Sequence, residues 1–306
     1  MNIGSIPAKW AELAPDKEAV IDATTGTRYT YYDLENHVQR LACAFINQGL
    51  VKGERIAVLS QNSFEYLAVY YACARTGLVA QALNWRLSVS ELERLLVNGK
   101  PSVFISHKDF SNEVGELKKS AKGIEVWLEY GDGSDGSYEK LIEVSHGLVE
   151  VGIPVGGEDP FLILYTGGTT GEAKGALHSH NSVWFGMLNQ TIAERIVPWD
   201  VYMLTGQMFH IPVVLAMNYQ AHGCPVVLMN FDAQLALQLI QKEKVSAFLG
   251  VTTMLNWMMA VEDFEKYDLS SLRNIQYGGG PMPSRVIKEA LEKFPCTLIQ
   301  GYGQTE

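Results

Sequence analysis

The sequence predicts an α/β fold with a largely parallel sheet, and three observations support that fold class. Short uncharged apolar runs, such as Phe161-Leu162-Ile163-Leu164, have the length and composition of buried strands. Segments with apolar residues three and four positions apart, such as Leu41, Ala44 and Phe45, have the period of helices. The two kinds of segment alternate along most of the chain, which is typical of parallel strands joined by crossover helices.

The first half is predicted to open with a hairpin and to continue with alternating strands and helices. Thr24 to Gly26 supplies the turn of that hairpin, and Asn62 or Ser63 can cap the helix that begins at Phe64. The predicted elements, by residue number, are a helix over 9–14, strands over 18–22 and 27–30, a helix that follows 30–34 and ends near 49, a strand over 56–59, a helix over 64–75, a strand over 79–83, a helix over 90–98, strands over 102–106 and 125–130, and a helix over 138–144.

The second half begins after a glycine- and proline-rich connector over 152–159. Asn181 or Ser182 is expected to cap the helix after the central loop, and Asp232 a later one. The predicted elements are a strand over 161–164, a helix over 182–195, a strand over 201–204, a helix over 233–242, strands over 247–250 and 274–277, a helix over 284–294 and a strand over 296–300.

Composition indicates a soluble protein with a small-molecule partner. With 47% hydrophobic residues, the chain can bury one large core or two moderate ones. A formal net charge of −10 argues against general binding to nucleic acids or anionic membranes. No apolar run approaches the ~20 residues that cross a membrane. Four separate cysteines indicate neither a zinc site nor a disulfide framework, so a reducing cytoplasm is expected; they are Cys43, Cys73, Cys224 and Cys296.

The loop Tyr165–Gly175 has the chemistry of a polyphosphate site. Its glycines allow close approach of the backbone, its threonines add hydroxyl donors, and Lys174 adds one positive charge. It is not a Walker loop, because that pattern needs adjacent Gly-Lys followed by Ser or Thr, whereas Lys174 lies three residues beyond Gly171. An ordinary flexible loop is the alternative.

This loop resembles the phosphate-binding signature of the adenylate-forming superfamily, which contains acyl-CoA synthetases, luciferases and the adenylation domains of peptide synthetases. The signature usually has serine where this chain has Gly167, and proline where it has Ala173. The segments 30–34 and 84–87, with the strand entry at Gly53, are also similar to landmarks of that family. We expect them to have structural roles only.

Two later loops extend the resemblance. The three glycines before Pro281 would let a planar ring lie against bare backbone, with a simple glycine turn as the alternative; in the family this loop borders the adenine and the acyl pocket. The string from Gly301 to Glu306 is similar to the family's aromatic-Gly-x-Thr-Glu signature. The resemblance then implies that Tyr302 stacks on adenine, that Thr305 contacts phosphate and that Glu306 helps to hold Mg²⁺.

Three histidines are candidate functional residues: His210, and the pair His178 and His180. A lone histidine between Phe209 and Ile211 is more often a core residue than a catalyst, but the family has an aromatic-histidine pair here in the pocket for the carboxylate substrate. His178 and His180 would face the same side of an extended segment, yet a metal site there lacks a third ligand nearby.

The resemblance assigns the following roles. The implied ATP-binding residues are Thr166, Gly167, Gly168, Thr169, Thr170, Gly171, Lys174, Gly278, Gly279, Gly280, Pro281, Gly301, Tyr302, Gly303, Gln304 and Thr305. The implied acid-binding residues are Phe209, His210, Gly279 and Gly303, and the implied catalytic residues are Lys174, His210 and Thr305. Thr170 and Glu306 are the implied Mg²⁺ ligands.

The implied fold consists of two packed α/β sheets with flanking helices, divided into subdomains 1–180 and 181–306. It would be truncated before the family's β-barrel part and C-terminal domain, because the chain stops at Glu306, before the helix that should follow the last strand. A homodimer is left open.

The implied activity is that of an AMP-forming carboxylate–CoA ligase with ATP, Mg²⁺ and CoA. The segments around Phe209-His210 and Phe231-Asp232 favour a fatty or other apolar acid. The alternatives are an ATP- or acid-binding module without turnover, an aryl-acid or peptide-synthetase type of adenylating domain, and a structural remnant, for which Gly167 and Ala173 are the only support.

Two further patterns have a simpler interpretation. Gly131 to Gly136 matches G-x-G-x-x-G, but its two aspartates would repel a pyrophosphate, so we expect an exposed acidic turn. The cluster of Met254, Trp257, Met258 and Met259 could line an acyl tunnel, although core packing is the more common use of such side chains.

Overall fold

The computed structural model describes residues 2–131, 136–145, 153–166 and 173–306. Its strands are β1 Glu18–Asp22, β2 Arg28–Thr30, β3 Arg55–Leu59, β4 Val79–Leu83, β5 Val103–His107, β6 Val126–Tyr130, β7 Pro160–Tyr165, β8 Gly175–Ser179, β9 Tyr202–Leu204, β10 Val226–Leu228, β11 Ala247–Leu249, β12 Asn274–Gly278 and β13 Thr297–Gly301. Its helices are α1 Ile6–Leu13, α2 Tyr31–Asn47, α3 Phe64–Thr76, α4 Val89–Gly99, α5 Ser111–Ser120, α6 Ser137–Val144, α7 His180–Glu194, α8 Pro212–Ala221, α9 Ala233–Glu243, α10 Thr252–Met259 and α11 Ser284–Lys293. Three short 3₁₀ helices cover 3–5, 108–110 and 264–266.

Within these residues the strands form two mixed sheets, which confirms the predicted fold class. The six-stranded sheet has the order β6-β5-β3-β4-β7-β8, and every neighbouring pair is parallel except β7 and β8. The seven-stranded sheet has the order β13-β12-β11-β9-β10-β1-β2, and only β1 and β2 are antiparallel. The opening hairpin was predicted, and it extends the sheet whose other strands follow residue 200. The division at 180 stays a prediction.

Helix α3 packs at the centre of the molecule. Its sequence is apolar on more than one side, and three of its tyrosines are fully buried: Tyr66, Tyr70 and Tyr71. The Tyr71 hydroxyl donates to Gln220 Oε1 in α8, at 2.7 Å. The largest apolar cluster contains residues of both sheets, including Val58 and Leu162 of one and Tyr202 and Val226 of the other. One continuous core therefore joins the two sheets.

Polar residues set the starts of the helices. Thr30 and Asp33 form a reciprocal capping box at α2, the Ser63 side chain accepts the Tyr66 N–H at α3, and Asp232 caps α9 as predicted. The cap of α7 is Ser179, not Asn181 or Ser182, so this expectation was wrong. Asn181 instead donates its amide to Glu158 Oε1, at 2.7 Å.

Three further expectations concern helix α10, the G-x-G-x-x-G match and membrane-spanning segments. Met258 and Met259 are buried in the second apolar cluster, whereas Met254 is half-buried and Trp257 is exposed, so only the first two are core residues. Residues 132–135 of the G-x-G-x-x-G match lie outside the described residues, and the acidic turn stays a prediction. Among the helices of the described residues, none has both the length and the apolar character needed to cross a bilayer.

Candidate active site

The carboxyl ends of strands from both sheets meet at one place, where ligands bind in open α/β sheets. The segment after β3 contacts the segments after β9 and β10, because the Asn62 amide donates to the carbonyl oxygens of Gly206 and Met229, at 2.8 and 2.9 Å. The segment after β4 also reaches the loop after β9, where Trp85 Nε1 donates to Gln207 Oε1 at 2.9 Å. The segments after β3, β4, β9 and β10 therefore share one region of the molecule.

Phe209 and His210 lie on the loop between β9 and α8. Phe209 is buried and His210 is half-buried, with their ring centroids 4.7 Å apart. Burial lowers the pKa of His210, and the positive charge of Arg86 lowers it further. Its ring is consequently neutral near pH 7, which leaves it able to donate one hydrogen bond and accept another.

Arg86 belongs to this site although the sequence suggested only a structural role for its segment. Its guanidinium lies 4.5 Å from the ring centroid of Trp85 and 6.0 Å from that of Phe209. Such stacking holds a cation against aromatic faces. The signal that could have found it is the position of Asn84 to Leu87 immediately after a strand, at the carboxyl edge of the six-stranded sheet.

A cavity of about 880 Å³ joins this loop to the phosphate loop. Phe209 and His210 line one part of it, and Thr166 and Ala173 line another. Its volume is within the usual ~300–1,000 Å³ range of small-molecule sites. Side chains of α4 complete the wall and include both apolar and charged groups, such as Leu95 and Arg94. The cavity can therefore accommodate an organic molecule that carries both apolar and polar groups.

The strands on either side of the predicted phosphate loop, β7 and β8, pair as an antiparallel hairpin, called the phosphate hairpin. Tyr165 of β7 pairs with Gly175 of β8, and the Thr166 N–H donates to the Lys174 carbonyl at 3.0 Å. A Cβ on Gly175 would lie 2.8 Å from Ile163 Cγ2, so that position requires glycine. Lys174 is exposed at the base of the tip. The residues of the tip itself lie outside the described residues, namely Gly167, Gly168, Thr169, Thr170, Gly171 and Glu172.

The two glycine-rich loops of the seven-stranded sheet lie side by side. Gly278 pairs with Gly301 across β12 and β13, and a Cβ on Gly278 would overlap the Gly301 carbonyl oxygen. A Cβ on Gly280 or Gly303 would meet nothing within 4 Å, so both expose bare backbone. The Tyr302 side chain is 93% exposed beside them. These features fit a planar ring that stacks on an aromatic side chain.

A contact between His178 and Thr305 joins the terminal loop to the phosphate hairpin. Burial lowers the pKa of His178, and the adjacent Thr305 backbone acts in the opposite direction. His178 lies on β8, four residues after Lys174. The predicted phosphate contacts Lys174 and Thr305 thus lie on neighbouring segments that come from different sheets.

The structure does not support the alternative metal pair at His178 and His180. His180 is fully buried, its Nδ1 accepts the Ile3 N–H at 3.1 Å, and its ring stacks on Phe161 at 5.3 Å. It anchors the N-terminal segment. In the part of the chain that the structure describes, no three His, Cys, Asp or Glu side chains are grouped as metal ligands. Of the two implied Mg²⁺ ligands, Glu306 lies in the exposed terminal loop and Thr170 is outside the described residues.

The fold and the glycine-rich loops indicate a nucleotide-binding protein, and comparison with known proteins identifies its family. The chain belongs to the AMP-binding enzyme family, whose model matches residues 7–306. The resemblance to acyl-CoA ligases inferred from the loop motifs is confirmed by its relatives.

Two relatives and one solved structure illustrate the similarity. The chain is 30% identical to the long-chain-fatty-acid–CoA ligase FadD13 of Mycobacterium tuberculosis, over 100% of this chain and 60% of that protein. It is 33% identical to indoleacetate–CoA ligase of Aromatoleum aromaticum, over 100% of this chain and 58% of that protein. An inhibitor-bound crystal structure of the N-terminal domain of FACL13 from Mycobacterium tuberculosis superimposes with a TM-score of 0.90 and 28% identity, covering 100% of this chain and 76% of that one. The chain therefore spans about 60% of the length of these two curated relatives.

Proposed function

We propose that this chain provides the ATP- and acid-binding part of an AMP-forming carboxylate–CoA ligase. The observation that carries this proposal is the convergence of strand ends, because Thr166 and His210 line one cavity while His178 beside the phosphate hairpin contacts Thr305. Both curated relatives described above are named as CoA ligases. Together they support one site at which a nucleotide and a carboxylic acid can meet.

ATP would bind across the loops of both sheets. The exposed Tyr302 ring and the bare backbone of Gly280 and Gly303 suit the adenine. Lys174 and the loop tip would hold the phosphates, because a lysine ammonium and backbone N–H groups stabilise several negative charges at once. Thr305 would add a hydroxyl donor from the other sheet.

Glu306 and Thr170 are the residues that would hold Mg²⁺. One carboxylate and one hydroxyl fit this ion, which usually binds through one or two carboxylates together with substrate phosphates. When bound, Mg²⁺ offsets the negative charge of the phosphates. The other contributions to the reaction come from the residues of this chain and from the two substrates.

The acid would enter the cavity beside Phe209 and His210. A carboxylate oxygen attacks the α-phosphorus of ATP, the bond from that phosphorus to the bridging oxygen of pyrophosphate breaks, and the products are an acyl adenylate and pyrophosphate. Both reactants are anions, so their repulsion opposes the step. Lys174 reduces that repulsion from the phosphate side, and the Arg86 guanidinium beside Phe209 contributes positive potential from the acid side.

The adenylate would then react with CoA. The thiolate sulfur attacks the acyl carbon, the carbon–oxygen bond to AMP breaks, and acyl-CoA and AMP leave. The chain needs no nucleophile of its own for either step. His210 would donate a hydrogen bond to the acyl carbonyl oxygen as a neutral ring, because burial and Arg86 both disfavour its protonation.

An apolar carboxylic acid is the substrate class that we propose. Apolar side chains such as Ala82, Leu87, Leu95 and Phe209 line the cavity. The names of the two curated relatives include a long-chain fatty acid and indoleacetate, so an acid with an aromatic ring is the second candidate within this class.

Calorimetric titration of the chain with ATP and Mg²⁺ tests the nucleotide site. We expect Lys174→Ala to weaken ATP binding at least tenfold, since removing one charged contact to phosphate costs about 1.5–3 kcal/mol. The matched control is Lys119→Ala, because Lys119 is an exposed lysine on α5, away from the loops. Equal ATP affinity of the Lys174 and Lys119 variants would contradict the assigned phosphate site.

Exchange of pyrophosphate into ATP then separates a ligase from a binding module. Exchange that depends on decanoate or 4-coumarate would support adenylate formation by this chain. ATP binding without exchange in the presence of decanoate or 4-coumarate would instead favour a binding module without turnover. That alternative is motivated by the length of the chain, which spans 60% of the FadD13 relative.

A further inference from the structure

The buried side chain of Asn62 holds the loop that carries Phe209 and His210. Asn62 is 5% exposed and follows β3 of the six-stranded sheet. Its Oδ1 accepts the Met208 N–H at 2.9 Å, and its Nδ2 donates to the carbonyl oxygens of Gly206 and Met229, at 2.8 and 2.9 Å. One amide therefore links a segment of one sheet to two segments of the other.

Tyr70 fixes the same loop from a second direction. Its buried hydroxyl donates to the Met208 carbonyl oxygen, at 2.6 Å. Both backbone polar groups of Met208 are thus hydrogen-bonded to side chains from the segment after β3 and from α3. A Cβ on Gly206 would overlap the ring of Pro212, so the two ends of the loop are also packed closely together. The backbone just before Phe209 has little freedom to move.

We infer that Asn62 is a positioning residue for the acid site, with Tyr70 as its partner. Asn62 is not among the residues that line the cavity. It acts by keeping Phe209 and His210 against the cavity, and the inference therefore depends on the proposed function. A fully paired buried amide is suited to this task, since any displacement leaves buried donors or acceptors unpaired. Small shifts of such supporting groups have large effects on a reacting site.

A purely structural role is the competing explanation, because Asn62 also joins the two sheets. Loss of any buried amide with several hydrogen bonds lowers stability. The two explanations differ in what else changes. If Asn62 positions the acid site, its removal should change the pKa of His210 and the affinity for the acid. A control variant with a similar loss of stability should change neither quantity.

The test compares Asn62→Ala with Asn218→Ala. Asn218 is 1% exposed, and its Nδ2 likewise donates to a carbonyl oxygen, that of Met187 at 2.8 Å, and to Gln190 Oε1 at 3.0 Å. It joins α7 to α8 and makes no contact with the loop over 206–210 among the bonds described. Thermal unfolding measures stability, NMR titration measures the His210 pKa, and calorimetry measures binding of decanoate and of ATP separately.

We expect Asn62→Ala to raise the His210 pKa toward its ordinary value of 6.5, because the ring becomes more hydrated. Decanoate should bind at least tenfold more weakly, with ATP affinity changed less than threefold. Asn218→Ala should change neither quantity at a similar loss of stability. An unchanged His210 pKa together with unchanged decanoate affinity in Asn62→Ala would overturn the inference.

If Asn62→Ala does not fold, the variant Tyr70→Phe tests the inference instead. It removes one hydroxyl and retains the ring, so it should raise the His210 pKa by a smaller amount in the same direction. An unaltered pKa in that variant would count against the inference. If decanoate does not bind even the unmodified chain, the proposed substrate class fails, whereas the His210 titration still decides the role of Asn62.

Discussion

His37 and His180 are histidines outside the proposed acid site whose pKa is lowered to about 4. Burial is the main cause for both, and the positive charge of Arg40 adds to it for His37. His180 lies under the N-terminal segment, and His37 Nε2 is 2.9 Å from the Tyr138 hydroxyl. Each ring is therefore held neutral within structural contacts.

Stability should consequently fall as the solution is acidified. Below about pH 6.5 the unfolded chain takes up a proton on each of these histidines, whereas the folded protein does so only near pH 4. Because the unfolded state binds more protons in this interval, the free energy of unfolding decreases from pH 6.5 to pH 4. Thermal unfolding over pH 4–8 measures the decline. His180→Asn should make it shallower, and an equally steep decline would contradict this explanation.

Glycines at the ends of β12 and β13 give a second prediction at this scale. Gly278→Ala should lower the free energy of unfolding by about 1–3 kcal/mol, because the added Cβ overlaps the Gly301 carbonyl oxygen and the strands must separate. Gly280→Ala is the control, and its stability should remain within about 0.5 kcal/mol since nothing lies near its Cβ. Urea unfolding measures both. Similar losses of stability in Gly278→Ala and Gly280→Ala would show that contact with the Gly301 carbonyl oxygen is not the cause.

At the scale of elements, helix starts depend on a few exposed polar residues. The Thr30 Oγ1 accepts the Asp33 N–H at 3.1 Å, and Asp33 Oδ2 accepts the Thr30 N–H at 2.9 Å. This box begins α2, the longest helix of the described residues, at the point where β2 ends. The transition from strand to helix is thus determined by four residues.

Thr30→Ala should lower the free energy of unfolding by about 1 kcal/mol, because α2 loses one of its N-terminal hydrogen-bond acceptors. The control is Ser5→Ala, since the Ser5 side chain accepts no capping hydrogen bond at the start of α1. Its effect should be under about 0.5 kcal/mol. Chemical denaturation of both variants measures the difference. A larger loss for Ser5→Ala would contradict the importance of the box.

Elements differed in how well sequence could predict them. Strand β4 has the predicted bounds, because a short run that is apolar except for Gln81 lies between Gly77 and Asn84. Helix α8 was not predicted, since its residues are apolar or buried on every side and leave no helical period. Strand β10 was not predicted. Strand β8 was not predicted as one, and none of its residues is fully buried.

The candidate site shows the same limit. Loops such as 278–281 could be predicted because their glycines are adjacent in sequence. Asn62 could not be found as a support for the His210 loop, because its partners lie 144 to 167 positions along the chain. Long-range hydrogen bonds have no local signature, so they are known only after the fold is known.

At the scale of the whole molecule, the two sheets share one apolar core. We therefore expect a single unfolding transition in urea, with coincident midpoints by tryptophan fluorescence and far-UV circular dichroism. Two separate transitions would contradict this expectation and would favour 1–180 and 181–306 as independently folding units. The hairpin β1–β2 argues against that outcome, because it belongs by sequence to the first range and by hydrogen bonding to the sheet of the second.

That hairpin also determines the order of events on the ribosome. Val20 of β1 pairs with Val226 of β10, so its neighbour in the sheet is synthesised roughly 10–40 seconds later at usual rates of translation. During this interval the edge of β1 that pairs with β10 in the folded protein lacks its partner strand. Chaperones that bind exposed strands would therefore meet the newly made protein first at its N-terminal end.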